Sequence, residues 1–169
     1  NMPHLEVIDN DSESGILGPF ASGGLSIRGK IVSPKRPGPN TEAIQEGYNL
    51  ELITGRPAAP HFHSWTHYSW QSQEMWPDLY VQIHPTTAEN LGVKDGALVS
   101  IESRHGSIHA RAWLYSGMRP TSVFIPIGWG ERQPFSKWNS VNFLTDKTQR
   151  DPISEQTNLK SLLCRVKPI

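Results

Sequence analysis

The run Thr54-Gly55-Arg56-Pro57-Ala58-Ala59-Pro60-His61-Phe62-His63-Ser64-Trp65-Thr66 concentrates residue types that do ligand chemistry. Gly55 allows the backbone to approach a ligand closely, and Arg56 offers a rigid guanidinium fork that matches phosphate oxygens. His61, His63, Ser64 and Thr66 add further hydrogen-bonding groups. This donor set suits a phosphorylated ligand better than a protein interior. The same residues could also form a connector whose histidines and aromatics simply pack.

Other chemistries fit the stretch less well. His61, His63 and His67 are spaced H-x-H-x3-H, and imidazoles two apart on an extended chain point the same way, as metal ligands would. Only Glu74 and Asp78 are close enough in sequence to complete a site, so hydrogen bonding or packing is favoured and no metal ligand is assigned. Ser64, His61 and Asp78 can be drawn as a nucleophilic triad, but Ser64 lies in no strand-turn-helix elbow, and no catalytic residue is assigned. Phe62, Trp65, Tyr68, Trp70, Trp76 and Tyr80 form an aromatic window that could stack on heterocycles, enter the core or meet another domain. The interface reading is favoured, since so many large rings in an irregular stretch rarely all bury inside a small domain. It also defines the alternative function, a non-enzymatic protein-interaction module using loop 61–80. Gly-rich phosphate loops of the Walker or Rossmann type are absent.

These groups need a scaffold, and composition bounds it. The 169 residues suffice for one ordinary domain. A hydrophobic fraction of 36%, a charged fraction of 19%, 14 glycines and 14 prolines describe a loop-rich, mainly β protein. Sixteen basic residues balance sixteen acidic ones, so no global field recruits nucleic acid or an anionic membrane, and any anion site must be local. No apolar run is long enough to span a bilayer and no leader is evident, so the chain reads as soluble and cytoplasmic, or periplasmic if a full enzyme carries an export signal. The single cysteine, Cys164, excludes a disulfide framework and cysteine-based iron-sulfur or zinc ligation within the chain.

Along the chain, residues 1–47 read as an extended arm or linker with possible short strands near Leu25 to Val32, and 48–169 as the folded domain. Leu50 to Ile53 and Tyr80-Val81-Gln82-Ile83 read as strands. His84 to Gly92 reads as a short, two-turn helix, with Pro85 suited to the first helical position, Thr86 and Glu89 as a capping box and Gly92 as its left-handed stop. Asp95-Gly96 turns into a hairpin of Ala97 to Ser103 and Ile108 to Leu114. Ser122 to Ile127 is a further strand that Pro126 confines to an edge or bulge. Residues 128–158 read as loop, and Leu159 to Val166 as a closing strand. A small closed β-barrel accommodates these elements, with a sandwich as runner-up.

Their order resembles a known family. Thr54-Gly55-Arg56, His61-Phe62-His63-Ser64, Tyr80 to Pro85, Leu91 to Gly96, Val99 to Gly106, Phe124-Ile125-Pro126, Asn142-Phe143-Leu144-Thr145 and Asp151-Pro152-Ile153-Ser154 with Lys160 resemble the C-terminal dinucleotide-binding domain of molybdopterin oxidoreductases. The pattern is that of the dimethyl sulfoxide reductase superfamily, formate dehydrogenase-like and nitrate reductase-like, over residues 50–166. The resemblance implies a double-psi β-barrel with one or two short helices and long loops. It implies molybdopterin guanine dinucleotide as cofactor, with molybdenum or tungsten held elsewhere, and the remaining domains or subunits of an oxidoreductase as partners. Nucleic acid and membrane insertion have no place in it. By motif position Thr54, Gly55, Arg56, His61, His63 and Ser64, with Thr66 as a weaker addition, would contact pterin and pyrophosphate, and Asn142 and Lys160 would contact the cofactor from the tail. The interval from Thr54 to His63 is one residue longer than the family's pattern, which blurs the assignment between His61 and His63. Trp129, Arg132 and Gln133 are further contacts without an assigned place.

Overall fold

A computed structural model describes residues 41–57, 66–130, 137–146, 148, 156, 157, 159 and 162–169, together with the backbone of 4–9 and 25–30. The chain divides into two compact units, Asn1–Gly38 and Pro39–Ile169. The first contains β1 (His4–Asp9) and β2 (Leu25–Lys30), an antiparallel pair in which His4 faces Lys30 and Asp9 faces Leu25. The expected strand near Leu25 is present, and β1 is an addition that scattered apolar residues did not signal. The second unit begins before residue 48, because helix α1 (Thr41–Gln45) belongs to it.

The second unit is a closed barrel of six strands, β3 (Leu50–Gly55), β4 (Tyr80–Ile83), β5 (Leu98–Ser103), β6 (Gly106–Leu114), β7 (Ser122–Pro126) and β8 (Leu162–Pro168). Around the barrel the order is β3-β7-β4-β6-β5-β8. β3 with β7 and β4 with β6 are parallel pairs, and the other contacts are antiparallel. This is the expected double-psi β-barrel, with α2 (Trp70–Met75) and α3 (Pro85–Leu91) as short helices on its connections. Period-2 alternation fills the interior: Leu50, Leu52 and Thr54 of β3, Val99 and Ile101 of β5, and Ile108, Ala110 and Ala112 of β6 are buried, with Val81, Ile83, Val123 and Ile125. Each large aliphatic residue buried this way contributes about 1.5–3 kcal/mol of transfer free energy.

Two local expectations are corrected. β7 is not an edge strand, since it lies between β3 and β4 in a closed barrel. Pro126 is tolerated because it is the last residue of β7, opposite Gly55, and the next amide, Ile127 N, donates to the Gly55 carbonyl at 2.8 Å. The cap of α3 is also different. His84, not Thr86, is the N-cap, and its Nδ1 accepts from Thr86 N at 3.2 Å. Pro85 and the left-handed Gly92 (φ 68°) sit where expected.

Candidate functional site

Strand pairing brings the sequence motifs to one end of the barrel. β3 and β7 run parallel and finish together at Gly55 and Pro126. β7 is antiparallel to β4, so Tyr80 starts β4 at that end, and β6, parallel to β4, also begins there at Gly106. The β5–β6 turn at Arg104 and His105 and the approach to β8 at Leu159 complete this end. Thr54 fastens the last of these to β3. Its hydroxyl donates to the Leu159 carbonyl at 2.8 Å and its amide does so at 3.1 Å, and it is 1% exposed. Thr54 therefore presents no open hydroxyl; it positions the tail.

Gly55 is half-buried, and a Cβ there would stand 3.2 Å from the Phe124 ring. Arg56 follows, exposed. The other described arginine side chains each face a carboxylate: Arg104 meets Glu46 at 2.7 Å, Arg111 meets Asp78 at 3.7 Å, Arg119 meets Glu51 at 3.1 Å and Arg165 meets Glu102 at 2.7 Å. Among the described residues Arg56 alone of these has no such partner. A guanidinium left unpaired at a strand end is available to an anion.

A 3₁₀ turn, Thr66–Tyr68, is locked to the segment after β7. His67 is buried and meets Trp129 edge to face, with ring centroids 4.1 Å apart. Gly128 is required for this packing, since it holds φ +125° and a Cβ there would lie 2.5 Å from His67 Nε2. Thr66 is half-buried and its carbonyl accepts from Ser69 N at 3.1 Å. The aromatic window is split: Tyr80 is buried, Trp76 packs against it and Trp113 at 5.2 and 5.3 Å, and Trp70 is 65% exposed.

A second 3₁₀ turn, Val141–Leu144, carries Asn142. Ser103 Oγ donates to the Leu144 carbonyl at 2.9 Å, and Gly106 lets the Phe143 carbonyl approach so closely that a Cβ would sit 2.6 Å from it. The Asn142 backbone is used by the turn: its amide faces Ser140 Oγ, and its carbonyl accepts from Thr145 Oγ1 at 2.8 Å. Its side-chain amide is exposed and makes no hydrogen bond among the described residues. Asn142 lines a cavity of about 1130 Å³ that also includes Leu159, the residue held by Thr54. Asn142 and Leu159, the residue that Thr54 holds, thus border one space, and Arg56 stands two residues beyond Thr54 at the same barrel end.

His61, His63, Ser64 and Lys160 lie outside the described residues, as do Phe62, Trp65, Arg132 and Gln133. Trp129 is a buried packing residue. Sequence reading passed over His105 and Asp146, which face each other across the cavity at 3.9 Å. A signal for Asp146 was present, since Asp146-x-Thr148 spells an Asx turn, and Thr148 N and Oγ1 donate to Oδ1 at 2.7 and 2.6 Å. Burial raises the pKa of Cys164 to about 12, so it stays a thiol.

An unpaired guanidinium, an open amide and a large cavity at one barrel end fit a large anionic heterocyclic ligand. Comparison with known proteins identifies the family. Residues 50–163 match the family described as Molydopterin dinucleotide binding domain. The chain is 32% identical over 139 residues to the assimilatory nitrate reductase catalytic subunit of Bacillus subtilis, covering 82% of the chain and 19% of that protein. It is 30% identical over 124 residues to YrhE of the same organism, a protein named for formate dehydrogenase, covering 70% of the chain and 12% of that protein. Against dopamine dehydroxylase of Eggerthella lenta it is 32% identical over 127 residues, covering 70% of the chain and 12% of that protein. The chain therefore spans no more than 19% of the length of these relatives. Acetylene hydratase from Pelobacter acetylenicus shares the fold, with a TM-score of 0.69 at 20% identity over 82% of the chain and 21% of that structure. Among the described residues no helix is long and apolar enough to cross a membrane. The match over residues 50–163, on a closed barrel with its anion-suited loops at one end, makes this chain a member of the molydopterin dinucleotide binding domain family.

Proposed function

We propose that this domain binds and orients molybdopterin guanine dinucleotide as the C-terminal domain, or a small subunit, of a molybdenum or tungsten oxidoreductase of the formate dehydrogenase or nitrate reductase kind. The observation that carries the reading is Arg56, exposed at the end of β3 and without a carboxylate partner among the described residues. When bound in the assembled enzyme, the cofactor supplies the metal-centred redox chemistry. This chain's own residues do the holding. Arg56 takes the diphosphate as a fork, Gly55 permits close approach, and Asn142 supplies an amide from the other side of the Leu159 segment. Thr54 acts through the tail it fastens. His61, His63, Ser64, Thr66 and Lys160 complete the set by motif position. Residues 48–169, with α1 from the same compact unit before them, form the dinucleotide domain, and the chain ahead of α1 is an arm for the remaining domains or subunits. The relatives' much greater length supports such partners. The compartment proposed is the cytoplasm, or the periplasm where the whole enzyme carries an export signal.

The test is cofactor content. Arg56→Ala in the full enzyme is expected to weaken retention by about 1.5–3 kcal/mol, the scale of a lost charge-assisted contact. Arg56→Lys, which keeps the charge without the fork, should fall between the two. Pterin and metal measured on the purified variants decide it, and undiminished content in Arg56→Ala would overturn the assignment.

A further inference from the structure

Trp129 opens a line of rings that runs along the barrel wall from one end to the other. Its ring centroid lies 6.0 Å from that of Tyr80, Tyr80 lies 5.0 Å from Trp113, and Trp113 lies 6.0 Å from Tyr115. Trp76 bridges Tyr80 and Trp113 at 5.2 and 5.3 Å. We propose that this line is a path for one-electron oxidation, passing an oxidising equivalent from the barrel end where β3 and β7 finish to solvent at Tyr115. The proposal goes beyond the dinucleotide reading and stands independently of it, since it rests on the rings alone.

The line has a direction because its ends differ. Trp129 is buried and comes two residues after Ile127, whose amide is bonded to the Gly55 carbonyl. Tyr115 follows β6 at the opposite end of the barrel, where its amide donates to the Ile83 carbonyl at 2.9 Å, since β4 runs parallel to β6 and antiparallel to β7. Tyr80 is buried, Trp113 half-buried and Tyr115 45% exposed, so solvent access grows toward the exit. The exit ring is seated close over Gly117, where a Cβ would lie 2.6 Å from it. Indole and phenol are the two aromatic side chains that give up an electron readily, and every ring from Trp129 to Tyr115 is one or the other. Phe124, the ring beside Gly55, cannot be oxidised in this range and is not part of the line.

One electron moves per event. An oxygen-derived radical takes an electron from the Trp129 indole and is itself reduced to the anion. Trp113 refills Trp129, Tyr115 refills Trp113, and Tyr115 releases its phenol proton to water to become a neutral tyrosyl radical. A reductant of the ascorbate or thiol class in solution then returns the electron, and water returns the proton. Tyr80 relays and does not store the radical, because an oxidised phenol must shed its proton and this one is cut off from water. The same burial pushes its pKa up.

Packing alone would make the same contacts and move no electron, so the experiment reads the electron. Arg56→Cys in the 169-residue chain places a reactive thiol next to Gly55, and the buried Cys164 is not labelled. A ruthenium polypyridyl photo-oxidant attached to that thiol is excited by a flash in the presence of a cobalt(III) ammine, which removes the excited electron irreversibly. The oxidised ruthenium should then be refilled by the protein, and a tyrosyl radical should appear at a rate independent of protein concentration. Tyr115→Phe, at an exposed ring, should lose the tyrosyl signal and leave a longer-lived tryptophyl radical. Trp113→Phe keeps a ring in place but cannot be oxidised, and should lose the transfer to Tyr115; where that variant fails to fold, Tyr115→Phe decides alone. Absence of a tyrosyl radical, a signal that survives Tyr115→Phe, a signal that instead disappears in Tyr68→Phe, or an unchanged rate in folded Trp113→Phe would each overturn the proposal.

Discussion

A methyl group at position 106 would stand 2.6 Å from the carbonyl oxygen of Phe143, on backbone that Ser103 and Ser140 already hold in place. The obstruction is backbone, which cannot swing aside as a side chain can. Gly106→Ala should therefore lower stability by about 1–3 kcal/mol, the usual scale of overpacking. It should also push the 3₁₀ turn that carries Asn142 away from the β5–β6 turn. A shift in the urea midpoint together with weaker cofactor retention would match that geometry. An unaltered midpoint would mean that the two turns separate at no cost. Gly128 is constrained differently, by its φ of +125° and by the buried His67 side chain, whose ring nitrogen would lie 2.5 Å from a Cβ there. Two glycines, one opening β6 and one after β7, thus set how tightly this end of the barrel is assembled.

Helix α3 shows how such loops are anchored and how far local signals carry. His84 caps it with a ring nitrogen, Thr87 Oγ1 donates to the Pro120 carbonyl at 2.6 Å, and Gly92 ends it. His84→Ala removes the acceptor for Thr86 N and should cost about 1 kcal/mol, whereas His84→Asn, a stronger cap, should restore it. Thermal unfolding of the two variants separates capping from mere loss of the ring. The helix was legible because Pro85 and Gly92 act on their own few residues, and strands β4, β5 and β6 were legible because alternation is local. The cap was misassigned because Thr-x-x-Glu is only a statistical sign, and the residue before it could also accept. Pro126 misled for another reason, since whether a strand is an edge depends on closure by β3, which lies some seventy residues away. The site divides in the same way. Arg56 and Asn142 are visible as residue types, but their common barrel end follows from five pairings, and motif order supplied what local chemistry could not. His67 against Trp129 and His105 across from Asp146 are pairs formed by closure, with only the Asx turn to hint at the second.

Closure itself is the property of the whole molecule, and one strand completes it. β8 pairs with β3 through Leu50 opposite Cys164 and with β5 through Glu102 opposite Arg165. On the outer face of that seam Glu102 receives Lys167 Nζ at 3.0 Å and Arg165 Nε at 2.7 Å. Arg165 also reaches the Glu46 carbonyl and lies over the Tyr48 ring, while Arg104 holds Glu46 and Glu42, so α1 is tied to the same seam. Hydrogen bonds from Lys167 first and Arg165 second hold the Glu102 carboxyl below its ordinary value of 4.5. A carboxylate with a folded-state pKa below its unfolded one contributes stability at pH values above the unfolded pKa. That contribution fades as pH falls through the folded value. The seam is solvent-facing and screened, so Glu102→Gln should cost no more than about 1 kcal/mol at pH 7. The gap between the variant and the parent should close as pH falls below 4.5 toward 3, and high salt should narrow it at neutral pH. Urea midpoints taken across that range test the argument. A gap that stays constant with pH and salt would assign the seam's strength to packing rather than to the charges that bridge β5 and β8.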